Sequence, residues 1–112
     1  MKKKDFDLFK KHVVKWRDLL GLKDWEIHIE KDNLGEDVVG NCLYDLQNRD
    51  ATISIDKSFK DLTPRIIELV ALHECLELLL ADTRSALNTL YNEDVTDKHI
   101  HRVIRRLENA LK

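Results

Sequence analysis

Apolar and polar positions follow three rhythms along the chain. Phe6, Phe9, Val13, Trp16 and Leu20 recur at spacings of three and four, one stripe of an amphipathic helix. Asp5 is placed to cap it and Gly21 to stop it. The period then drops to two: Trp25, Ile27 and Ile29 alternate with Glu26, His28 and Glu30, the pattern of a half-buried strand. Asn33-Leu34-Gly35 signals a turn. Two more strands are predicted over about 38–46 and over Ala51–Ile55, with Gln47-Asn48-Arg49-Asp50 as a hairpin loop. In the last strand Ile53 and Ile55 face one way, Thr52 and Ser54 the other. Three successive strands joined by short loops predict an antiparallel meander.

The third rhythm is nearly continuous apolarity. Thr63-Pro64 marks a helix start, with Thr63 as N-cap and Pro64 in the first turn. The segment from Ile66 to Ala81 is apolar almost all round, which predicts a buried central helix reaching about residue 82. A loop follows over about 90–95. Thr96 is placed to cap a last helix whose stripe is Ile100, Val103, Ile104, Leu107 and Leu111. The expected fold is one α+β domain over residues 1–112, with helices packed on one face of a three-stranded antiparallel sheet.

Composition narrows the function. The 112 residues are 43% apolar and 36% charged, too apolar for a disordered chain. Nineteen basic and 21 acidic side chains leave a net charge of −2, without the basic excess of a nucleic-acid binder. No apolar run is long enough to span a membrane. The Lys2-Lys3-Lys4 start is followed by Asp5 and Asp7 rather than a signal-peptide core, so a cytoplasmic protein is expected. Two cysteines, Cys42 and Cys75, provide neither a disulfide framework nor a four-cysteine zinc site. Three glycines form no phosphate-cradling loop.

The central helix carries three polar side chains within one narrow arc: His73, Glu74 and Glu77. At about 100° per residue, Glu77 lies about 40° from His73 and Glu74 about 100° from it. Burying two carboxylates and an imidazole is costly unless a metal ion, a partner cation or a water-filled cleft compensates. An arc that simply meets solvent is the plainer alternative. The string His73-Glu74-Cys75-Leu76-Glu77 differs from the helical His-Glu-x-x-His motif only at its last position. In that motif the two end residues bind zinc and the glutamate takes a proton from activated water. A carboxylate also binds zinc, so Glu77 can stand as a ligand. A third ligand is needed. His101 lies on the margin of the last helix's core stripe, with Asp97 and Glu108 along the same flank. A histidine merely bonded to a nearby carboxylate is the alternative reading for that position. Cys75 lies about 200° round the helix from His73, too far for a thiolate–imidazole pair, and reads as core. Trp16 and Trp25 read as core anchors, His12, His28 and His99 as surface residues.

Taken together, Trp25-Glu26-Ile27, the strand Asp50 to Ile55, Leu72-His73-Glu74 with its leucine run, and His101 to Glu108 resemble a family. They look like the minimal zincin-like proteins of phages and bacteria, distant relatives of SprT-like and ImmA-like metallopeptidases. The resemblance covers most of the chain. It departs at Glu77, where the family has its second histidine, and at Ile100, where relatives often carry glutamate. It implies a zinc cofactor held by His73, Glu77 and His101, with Glu74 as general base in peptide hydrolysis. It also implies that Ala51, Thr52, Ile53, Ser54 and Ile55, the strand before the motif helix, line the cleft and pair with an extended peptide.

Two other classes stay open. One is a catalytically inactive zincin-fold protein of a mobile element that binds a partner protein. The other is a small nucleic-acid binder resting only on Arg102, Arg105 and Arg106, which a solvated helix face explains more simply.

Overall fold

The computed structural model describes residues 1–112. Its order is α1 (Lys3–Leu19), β1 (Glu26–Asp32), β2 (Gly40–Asp45), β3 (Asp50–Asp56), α2 (Pro64–Leu79), α3 (Ala81–Asn88) and α4 (Glu93–Leu111). The fold is α+β, as the pattern predicts. No helix is long and apolar enough to cross a membrane.

The sheet departs from the expected meander. Its strand order is β1-β3-β2, with β1 parallel to β3 and β2 antiparallel to it. The reason lies in β3. Ala51, Ile53 and Ile55 are buried on one face and Ser54 and Asp56 on the other. A strand whose far end is buried on both faces suits the middle of a sheet. The link over residues 33–39 is long enough to pass the end of that central position, and β2 then docks on the far side. The tight 45–50 connection returns the chain into the centre. Sequence alternation assigned the faces correctly: Ile29, Ile53 and Cys42 lie across from one another on the core side, Thr52 and Leu43 on the other.

Helix α2 is the axis of the molecule. It packs against α1, α4 and the core face of the sheet, so apolar side chains are buried around most of its circumference. Thr63 Oγ1 accepts from the Ile66 backbone N–H at 3.2 Å, with Pro64 in the first turn, so this helix starts where expected. It stops earlier than expected. Leu80 leaves helical geometry and the chain resumes as α3. The last helix also starts earlier than Thr96. Asn92 is its cap, accepting from the Val95 N–H at 2.9 Å, and Thr96 is a buried residue within it. Phe9, Val13, Trp16, Ile53, Leu72, Leu76, Ile100 and Ile104 are among the buried residues of a single core. Cys75 is buried with them, its Sγ 3.9 Å from the Val13 carbonyl.

Candidate metal centre

The site is built by α2, α3 and α4, closed on one side by β2. His73 and Glu77 stand one turn apart on α2, so both reach the same point above the helix. His101 reaches that point from α4. The stop at Leu80 redirects the chain so that Arg84 of α3 comes alongside.

Glu77 Oε1 lies 3.2 Å from His101 Nε2 and 3.7 Å from His73 Nε2. One ligand atom from each residue falls within 4.8 Å of the others. Donor atoms on a tetrahedral zinc at about 2.0–2.1 Å would be separated by about 3.3 Å, so the spacing is of the right order. The two imidazoles stack, centroids 6.0 Å apart and planes 21° from parallel.

The outward nitrogens are also engaged. His101 Nδ1 lies 2.9 Å from the Asp97 carbonyl oxygen. A carbonyl only accepts, so Nδ1 carries the proton, and in the neutral ring Nε2 turns its lone pair to the centre. His73 Nδ1 faces Glu108 Oε2 at 3.5 Å. Inner nitrogens converging while outer ones meet acceptors is the arrangement of ligating histidines. The donor set therefore fits a divalent cation of the zinc type.

Glu77 Oε2 takes the Arg84 Nη2–H at 3.1 Å, and Arg84 Nη1 donates to Asp97 Oδ1 at 2.9 Å. That hydrogen bond holds the Asp97 carboxyl below the usual carboxylate range. Arg84 was not singled out by motif reading, although a signal existed. It follows Glu77 by seven residues, a spacing that shares a face on a continuous helix, although here the break at Leu80 sets its actual place.

Glu74 sits apart from this network. Only 7% of its surface is exposed, and burial followed by the like charges of Glu77 and Glu108 pushes its pKa up to about 8. It borders a cavity of about 400 Å³ with His73 and Glu108 at one end and Val38, Val39, Ile66 and Val70 along it. A buried carboxylate of raised pKa opening on a cleft beside the His73 imidazole is the kind of group that moves protons. Gly40 lets this happen: a Cβ there would stand 2.9 Å from Glu74 Oε2 and 2.5 Å from Val70 Cγ1. The β2 backbone comes this close to α2 only because no side chain intervenes.

The placement of Ala51, Thr52, Ile53, Ser54 and Ile55 as a peptide-pairing strand is corrected by the sheet order. That strand is β3, bonded to β1 on one side and β2 on the other. Its backbone has no free edge to offer. The open edge beside the cleft belongs to β2. Val39 accepts from the Asp56 N–H at 2.8 Å, and ladder bonds alternate along an antiparallel pair. Gly40, Cys42 and Tyr44 therefore turn their N–H and C=O groups away from β3.

Compared with known protein families, with curated proteins and with solved structures, the chain matches none.

A second cluster, Glu26, His28 and Asp50, is exposed on the outer face of the sheet. His28 Nε2 lies 2.8 Å from Asp50 Oδ1, which accounts for it as a surface hydrogen-bonded pair. His99 is likewise exposed and His12 half-buried. Burial first, then Glu74, raises both thiols, Cys75 to about 12, which favours the protonated form over the nucleophilic thiolate.

Proposed function

We propose that the chain is a zincin-like metal-dependent hydrolase acting on extended peptides, with zinc held by His73, Glu77 and His101. The convergence of two Nε2 atoms and Glu77 Oε1, backed by Asp97 and Glu108, carries this reading. Bound there, the cation would supply Lewis acidity toward a carbonyl and a water activated at neutral pH. Glu74, adjacent in the chain and opening on the cavity, would take a proton from the attacking water and pass it to the leaving amine. The apolar wall of Val38, Val39, Ile66 and Val70 would hold substrate side chains, and the open edge of β2 would bind a peptide backbone by strand addition. The family resemblance of the sequence points the same way.

A partner-binding module without activity is the second reading. It draws on the Arg84–Glu77 contact, which satisfies Glu77 without a metal. The two readings separate on Glu74→Gln. In a hydrolase this variant keeps zinc affinity and loses cleavage of a quenched-fluorescent peptide library. Zinc-loaded parent that cleaves no peptide in that library contradicts the hydrolase reading.

A further inference from the structure

We infer that Arg84 is a positioning residue for the metal centre, holding Glu77 in ligating orientation and, through Asp97, aligning His101. This rests on the metal reading of the site. A glutamate on a helix has three rotatable side-chain bonds and a free carboxylate would swing among several rotamers. Here its outer oxygen is gripped. Arg84 Nη2 stands 3.1 Å from Glu77 Oε2, which turns Oε1 toward His101 and His73. The other arm, Nη1, stands 2.9 Å from Asp97 Oδ1. The other oxygen of the same carboxylate, Asp97 Oδ2, stands 3.2 Å from His101 Nδ1, the nitrogen that also meets the Asp97 backbone carbonyl. One guanidinium thus fixes a donor on α2 and the support of a donor on α4.

The grip is well built for this. The Arg84 side chain is only 17% exposed and that of Glu77 15%, so water competes little for either. A guanidinium is planar and keeps its charge at any working pH, and its two arms meet two carboxylates at fixed angles. A glutamate needs an outside hold, and Arg84 provides one.

The proposal has a sign that separates it from a simple charge effect. Arg84 is a cation beside a cation site, so by charge alone its removal should tighten metal binding. Loss of positioning should weaken it, by about ten- to a hundredfold as for other outer supports of metal ligands.

The test is zinc affinity of the chelator-stripped full chain, measured by competition with a chromophoric chelator, with cobalt(II) absorption as a second readout. The variants are Arg84→Met, Arg84→Gln, which keeps a polar group, and Arg84→Lys, which keeps the charge without the two-armed geometry. Those that retain a cooperative melt are compared. Weakening of about tenfold or more in the Met or Gln variant, with a changed cobalt spectrum, is expected, and Lys should restore affinity only in part. Unchanged or tighter binding overturns the positioning role, as does full recovery with Lys. A parent chain that binds neither metal overturns the metal reading itself, and that outcome is visible without any variant.

Discussion

Gly40 and Glu74 touch across the interface of sheet and motif helix, so closely that a methyl at Gly40 would stand 2.9 Å from the carboxylate. This contact sets where the β2 edge runs relative to the Glu74 carboxylate. Gly40→Ala should therefore force Val70 and Glu74 aside. We expect a loss of about 1–3 kcal/mol, the usual cost of overpacking, read as a lower urea midpoint in chelator. An unchanged midpoint would mean that β2 does not lie this close to α2.

Glu74 gives the metal-free protein a pH dependence. Its folded pKa of about 8 lies above the ordinary 4.5, so the native state holds the proton more tightly than the unfolded chain. The stability this brings is complete below about pH 4.5 and is lost as pH rises through about 8. Glu74→Gln carries no charge at any pH and should flatten that decline. In urea titrations with chelator at about pH 6 and about pH 9, the parent should lose more stability than the variant, by up to a few kcal/mol. Parallel losses in the two proteins would show that Glu74 titrates normally.

Much of the fold was readable because its determinants are local. The two-residue period of Trp25 to Glu30, the Thr63-Pro64 start and the stripe at Ile100 and Ile104 each depend on neighbours a few positions away. The His73, Glu77 and His101 grouping was legible for a related reason. Helical periodicity gives the angular place of each residue, and the two helices had to pack. Strand order was not legible. The 33–39 segment has no pattern that says whether the chain turns back beside β1 or passes beyond β3, and the burial of Ser54 and Asp56 that makes β3 central depends on distant residues. The break at Leu80 was hidden by leucines that would suit a continuous helix equally well. Asn92, three residues before Val95, was a readable cap, but Thr96 with the stripe behind it competed for the same role.

The central place of β3 has its own consequence. Ile53 is completely buried and Thr52 faces the other side. Ile53→Ala should cost about 2–5 kcal/mol by removing core volume, while Thr52→Ala should cost under about 1 kcal/mol. Thermal melts of the two variants read the difference. Equal, small shifts would contradict the buried central strand.

Metal content decides the central claim most directly. The full chain is purified without chelator or metal-affinity resin, beside His73→Ala and His101→Ala, and zinc per chain is counted by elemental analysis before and after zinc is added back. About one zinc in the parent and almost none in either variant is the predicted result, since each variant removes a proposed ligand. No zinc in the parent after add-back, or equal zinc in parent and variants, would contradict the account.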